Sequence, residues 1–361
     1  MRQRGCTRIC GTSREWKTDT MGNFTQQPES EQLKLYKFVN EKTGIPLAIV
    51  EKDFWVCWML GHIFATPSLG DHCVFKGGTS LSKVFGAIDR FSEDIDLGLT
   101  PTSLGWSEAD LDDAPSVSQR RKRMEKMMAD CAESVRTQFQ PELDAAICTV
   151  LGQPRDSSIW LTYTDDVAAH SPVLRFHYPS IVPAGTGYIE RAVKIEFGSL
   201  TDQRPTGTHR ITPLIAELGP GEFADFQAEV VALEIERTFW EKATILHAEH
   251  HRPAEQAFRD RFARHYADFA ALWRHPRGPE AAARLDLLER VRLHKSRYFA
   301  SSWAHYDTAV PGTLRLLPPE SRLGELRRDY QAMEPMFLST PLKFDEVLAI
   351  LREAEQSLNG G

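Results

Sequence analysis

The segment Phe75-Lys76-Gly77-Gly78-Thr79-Ser80-Leu81-Ser82-Lys83, followed closely by Arg90-Phe91-Ser92-Glu93-Asp94-Ile95-Asp96-Leu97, constrains this chain more than any other. The apolar lead-in Cys73, Val74, Phe75 reads as a buried strand, the paired glycines permit a tight turn, and Thr79-Ser80 fall where a helix would begin. A helix start gathers free N–H groups, hydroxyls and the positive end of the dipole, so this turn can hold a triphosphate. Asp94-Ile95-Asp96 alternates polar, apolar, polar. On a strand that alternation turns both carboxylates to one face, about 6.6 Å apart along the chain. Such a spacing suits two carboxylates sharing a pair of Mg²⁺ or Mn²⁺ ions, which lie about 3.5–4 Å apart in two-metal sites. Each half alone reads as a capped turn or a solvated loop. Together they are complementary, one holding phosphates and the other the metals that bridge to them. A P-loop is excluded on pattern, because Lys76 precedes the glycines and no G-x-x-x-x-G-K-[ST] occurs.

At 361 residues the chain can bury a sizeable core and is expected to form two domains. Its 42% apolar and 26% charged residues are ordinary for a soluble protein, and its nearest approach to a spanning helix, Phe54 to Leu60, is far too short. Residues 1–20 are Arg-rich without the apolar region of a secretory signal. A cytoplasmic protein without a membrane partner is therefore expected. Six cysteines at irregular spacing, with no C-x-x-C, read as reduced thiols.

Helical periodicity runs from Glu31 to Lys42 and again from Pro46 through Trp55, with Phe54, Trp55 and Trp58 as core. After the glycine turn, Leu81, Val84 and Phe85 mark a buried helix face. Ser103 to Pro115 reads as a loop, and Ser116 or Ser118 can cap a helix running to about Phe139. Alternation at Ile147–Leu151, Ile159–Thr164, Val173–Tyr178 and Tyr188–Phe197 suggests an antiparallel extension of a sheet, with the last hairpin turn at 183–187. From Ala228 onward the pattern turns helical, with helices at about Glu234–His250 and Ala254–Arg274. The expected organisation is a disordered extension over 1–29, an α/β (α+β) core with a short mixed sheet over 30–235, and a helical domain over 236–361.

The order KGGTSLSK, RFSEDIDL, Lys194-Ile195-Glu196, Trp240-Glu241-Lys242, then Arg264-His265-Tyr266-Ala267-Asp268-Phe269 resembles the AbiEii/AbiGii toxin family of nucleotidyltransferases, MenT-like toxins included. The likeness extends from Glu51-Lys52-Asp53-Phe54-Trp55 to Asp329-Tyr330-Gln331-Ala332-Met333 and Phe344-Asp345-Glu346-Val347-Leu348. It implies a nucleotidyltransferase core and metal-dependent transfer of a nucleoside monophosphate from an NTP. Asp94, Asp96 and Glu196 would bind the metal, and Lys242 and Asp268 would complete the catalytic set. Nucleotide contacts fall to Lys76, Gly77, Gly78, Thr79, Ser80, Lys83, Arg90, Lys194 and Lys242. Arg261, Arg264 and His265 would face nucleic acid. The resemblance also implies a toxin of a type IV toxin–antitoxin or abortive-infection system acting against phage or arresting growth, an AbiEi-like antitoxin as partner, and an RNA acceptor such as a tRNA 3′ end.

By themselves several of these residues have plainer readings. Lys194 and Glu196 share a strand face as any surface pair does, Lys242 is one more helix lysine, and Arg264 with Asp268 is an ordinary i, i+4 pair. A net charge of −7 conceals a segregation: seven acidic and two basic residues from Gly198 to Glu236, then thirteen basic and eight acidic from Arg237 to Arg297. Arg120–Arg123 forms a second basic cluster, and either could carry an RNA-binding face. His247, His250 and His251 lack further suitably placed ligands, so no zinc site is expected. Ser80 lacks a G-x-S-x-G context and reads as a hydrogen-bond donor, not a nucleophile. A phosphotransferase built on the same site, or a nucleotide sensor without turnover, are the alternative activities.

Overall fold

A computed structural model describes residues 22–360, apart from 108, 111–112, 155–157, 167–170, 184–189, 220 and 258. The hairpin turn expected near 183–187 and most of the N-terminal extension fall outside the described residues. Two helices open the fold, α1 (Glu29–Thr43) and α2 (Leu47–Ala65), each entered through a proline that cannot donate inside a helix but suits its start. Phe54, Trp55 and Trp58 of α2 are core as expected. The packed chain begins earlier than residue 30. Phe24 is buried against Tyr36, Phe54 and Phe226, and the Asp225 carboxylate accepts the Phe24 and Thr25 amides.

The glycine motif folds as strand β1 (Cys73–Lys76) followed directly by helix α3 (Gly77–Lys83). Strand β2 (Ile95–Leu99) returns antiparallel to β1. Next comes α4 (Val117–Ser134), capped by Ser116 Oγ, which accepts from Gln119 N at 3.2 Å. It continues through a π turn at Val135–Phe139 into α5 (Gln140–Leu151). The strand expected over Ile147–Leu151 is therefore helix. Val135, Phe139, Leu143 and Ile147 recur every fourth residue and are all buried, a spacing that only a helix places on one face.

Strands β3 (Leu161–Asp166), β4 (Ser171–Phe176) and β5 (Val193–Gly198) form the expected antiparallel extension. Two further strands, β6 (Thr206–Ile211) and β7 (Ala228–Leu233), correct the reading of residues after 228 as helical from the outset. Val230 and Val231 are β-branched, and β7 inserts between β1 and β6, where pairing on both sides outweighs a short window of helical pattern. The sheet has seven strands in the order β3-β4-β5-β2-β1-β7-β6, with β2/β5 and β1/β7 parallel and its other pairs antiparallel. One face packs on α2, α4 and α5. On β5 burial alternates strictly, with Val193, Ile195 and Phe197 inward and Lys194 and Glu196 on the opposite, open face.

The remaining chain is helical: α6 (Ile235–His250), α7 (Ala263–Arg274), α8 (Leu285–Tyr298), α9 (Leu323–Ala332) and α10 (Phe344–Leu358). The helix expected from Ala254 starts only at α7. Arg261 adopts a left-handed φ of 59° just before it, and Asp329 of α9 accepts both Arg261 N and Ala263 N at 2.7 Å. Arg259 and Arg261 are thus not on that helix. Two hydrophobic clusters result, one running from Phe24 to Ala232 and the other from Ile235 to Ala354. Leu81, Ala87 and Ile88 belong to the second, and Phe91 N donates to Met336 O at 2.7 Å. The glycine motif therefore lies on the seam between them. No helix among the described residues is long and apolar enough to cross a membrane.

Candidate active site

Register brings the first motif together with Glu196. Lys76 of β1 pairs with Asp96 of β2, and Asp96 pairs with Glu196 of β5, so three polar side chains form one row across the open face. Gly77 begins α3 at φ +84°, a conformation glycine adopts without strain, and a Cβ there would lie 2.0 Å from Asp96 Oδ2. A Cβ on Gly78 would fall 2.9 Å from Arg90 Nη2. Gly77 is thus required by its backbone and by Asp96, while a side chain at Gly78 would displace the Arg90 guanidinium or the Ser92 hydroxyl. Thr79 and Ser80 are fully buried. Thr79 Oγ1 donates to the Asp94 carbonyl and lies 3.0 Å from Ser92 Oγ, while Ser80 Oγ donates to Gly77 O at 2.9 Å. The Thr79 hydroxyl ties the turn to the Asp94 backbone just before β2, and the Ser80 hydroxyl closes the turn on itself, so both are engaged within the fold.

Burial, then the Asp96 and Glu93 carboxylates, push Asp94 up to about 6. Burial also raises Asp96, with Lys76 opposing and Glu196 reinforcing. Lys76 and Arg264 both act on Asp96 through space, yet neither side chain has a hydrogen bond or ion pair among the described residues. Two cations in that state beside a glycine turn are suited to an anionic ligand.

Across the seam, Asp268 is the centre of a buried ion triad. Arg90 Nε and Nη2 donate to its two oxygens at 2.8 and 2.9 Å, and Lys242 Nζ donates to Oδ2 at 2.7 Å. Burial would raise the Asp268 carboxyl, but these two cations hold it well below the usual carboxylate range. Burial lowers the Lys242 ammonium, Asp268 offsets this only in part, and Arg90 adds repulsion. Burial, Lys242 and Arg264 hold the His265 imidazole far below its ordinary value. It is neutral, and its Nδ1, 3.1 Å from Lys242 Nζ, accepts from the ammonium.

The family model for the AbiEii nucleotidyl transferase toxin of type IV toxin–antitoxin systems matches residues 58–350. The chain belongs to the AbiEii toxin family. Among solved structures it is similar to MenT4, a nucleotidyltransferase toxin of Mycobacterium tuberculosis H37Rv, over 93% of this chain and 90% of that one, at 15% identity and a TM-score of 0.47. No curated protein matches it.

Of the AbiEii-type site residues expected from sequence, Lys76, Gly77, Gly78, Arg90, Asp94, Asp96, Lys194, Glu196, Lys242, Arg264, His265 and Asp268 meet at the open sheet face and the seam. Lys83 does not: its Nζ is 2.6 Å from Asp53 Oδ1, both groups buried, at the far end of α3. Arg261 stands 3.6 Å from Glu93 Oε1 at the edge of the site. The basic segment 237–297 is largely neutralised. Arg274 pairs with Glu353, Arg277 with Glu234 and Glu236, Arg284 with Asp286, and Arg290 with Asp202. The histidine group holds loops together: His247 Nε2 lies 3.0 Å from the His305 carbonyl and its Nδ1 accepts from Arg315 N at 3.0 Å. Asp94, Asp96 and Glu196 supply hard oxygen donors suited to Mg²⁺ or Mn²⁺. Among the described residues, however, no three His, Cys, Asp or Glu side chains close around a point as metal ligands would.

Sequence reasoning missed the buried run Glu51, Lys52, Asp53 as a framework for the site. Lys52 Nζ bonds Glu93 Oε2 at 2.7 Å and Glu190 O at 2.9 Å, tying the approaches to β2 and β5, and Glu51 accepts Ile181 N at 2.7 Å. Three successive charges on an otherwise apolar helix were the available signal. Asp166, 3.4 Å from Lys194 Nζ, was missed as well, and carried no motif.

Proposed function

We propose that this chain transfers a nucleoside monophosphate from an NTP to an acceptor hydroxyl, releasing pyrophosphate, with a divalent cation held by Asp94 and Asp96 and flanked by Glu196. The observation that carries this reading is the Lys76–Asp96–Glu196 row beside the Gly77 turn, which sets carboxylates directly against the backbone of a strand-to-helix turn. The bound cation would supply charge stabilisation at the phosphates. Backbone amides of the turn orient the triphosphate, Lys76 and Arg264 offset its charge, and Glu196 assists the attacking hydroxyl, as general base or as a further cation ligand. Lys242, tied to Asp268, approaches from the helical side and neutralises charge that develops on the leaving group.

Membership of the family supports an antitoxin partner of AbiEi type, and an RNA acceptor such as a tRNA 3′ end is the reading we favour, with growth arrest or phage defence as the consequence. The test is incubation with NTPs labelled at the α- or γ-phosphate, Mg²⁺ and total cellular RNA. Label from the α-position should enter RNA, and Asp96→Asn should abolish it. Incorporation of γ-label only would indicate phosphotransfer. Binding of NTP without pyrophosphate release on any acceptor would indicate a sensor.

A further inference from the structure

Glu196 does not stand open to a cation. Lys194 precedes it by two residues on β5 and so shares its face, and the Lys194 ammonium donates to Glu196 Oε1. The same Nζ lies 3.4 Å from Asp166 Oδ2 at the end of β3, and it also acts on Asp94 through space. The side chains of Lys194, Glu196 and Asp166 are 23%, 25% and 29% exposed, so the group is at the solvent boundary. An ammonium is a compact point charge that can occupy a carboxylate as a metal would. In two-metal sites both ions depend on neighbouring carboxylate oxygens, and here one such carboxylate already carries a cation while a second, Asp166, is within reach of it.

Building on the nucleotidyltransferase reading, we propose that Lys194 is a built-in competitor for the second divalent cation. The first cation binds at Asp94 and Asp96; Lys194 acts on Asp94 only through space and bonds neither carboxylate. The second gains Glu196 only as the Lys194 ammonium passes to Asp166. Occupancy of the second position then rises only at higher cation concentration, and Lys194 sets that threshold.

The test counts cations directly. Mn²⁺ is titrated into the full chain and the free ion followed by electron paramagnetic resonance, for the wild type, Lys194→Met, Lys194→Gln and Arg175→Met. Arg175 is the residue opposite Lys194 on β4 and has no bond to Glu196, so it reports the general effect of removing a nearby charge. Both Lys194 variants should bind the second Mn²⁺ at least tenfold more tightly, with the first changed less than threefold, and Arg175→Met should change the second less than threefold. An unchanged second site in the Lys194 variants, or an equal gain in Arg175→Met, overturns the proposal and leaves the nucleotidyltransferase reading standing. Failure of every protein to bind Mn²⁺ overturns the cation reading itself, and this proposal with it.

Discussion

Asp96 and Asp268 both act on Arg90 and Lys242, yet their surroundings give them opposite characters. Asp268 is sandwiched between Arg90 and Lys242, so Asp268→Ala would leave two cations buried without a partner. Loss of one partner of a buried pair costs about 3–5 kcal/mol, and chemical denaturation should register a drop of that order; a loss below about 1 kcal/mol would remove the triad from the account of stability. Asp96 is crowded by burial and Glu196, so Asp96→Asn should keep or raise the thermal midpoint while abolishing nucleotide transfer. Retained transfer in that variant would show that Asp96 holds no essential cation. Gly77→Ala joins two penalties, a positive φ and a Cβ 2.0 Å from Asp96 Oδ2. The strained backbone alone costs about 1–3 kcal/mol, and displacement of Asp96 should reduce transfer by more than tenfold; an active, equally stable variant would refute the close approach.

At the level of elements, α7 illustrates how a helix boundary can be set from elsewhere. The Asp329 carboxylate on α9 occupies the amides of Arg261 and Ala263, as an N-cap residue within α7 would. Asp329→Ala should cost about 1–2 kcal/mol and raise amide exchange in the first turn of α7, where Arg264 and His265 lie. Unaltered exchange there would mean that the helix starts on its own propensity. The periodicity of residues 254–274 could not reveal this, because the capping group is 68 residues away in sequence. A similar limit applied to β7, whose pairing partners β1 and β6 supply hydrogen bonds that no local window contains. By contrast α1, α2, α6 and the β1–α3 turn were legible, since their prolines, glycines and apolar spacing act over a few residues.

Across the whole molecule, the helical half contains imidazoles that folding keeps neutral. Burial, with Asp202 opposing and Arg237 reinforcing, lowers His294 to about 4, and burial lowers His247 to about 4 as well. A histidine whose folded pKa lies below its unfolded value of about 6.5 stabilises fully above that value, and its contribution is lost as pH falls from 6.5 toward 4. His294→Gln should therefore lose less stability than the wild type over that window, read as urea midpoints at successive pH values; parallel curves would place the acid sensitivity elsewhere. The amino-acid sequence by itself determined the glycine turn, the paired Asp94 and Asp96, the α/β class and the family, because each depends on residues adjacent in the chain or on their order. Tertiary structure alone decided that Asp96 meets Glu196, that Asp268 binds Arg90 and Lys242, that Asp53 holds Lys83 away from the site, and that acidic partners neutralise most of the basic segment. These are charge pairings between residues distant in sequence, and a carboxylate's partner is set by which strands and helices the core brings side by side.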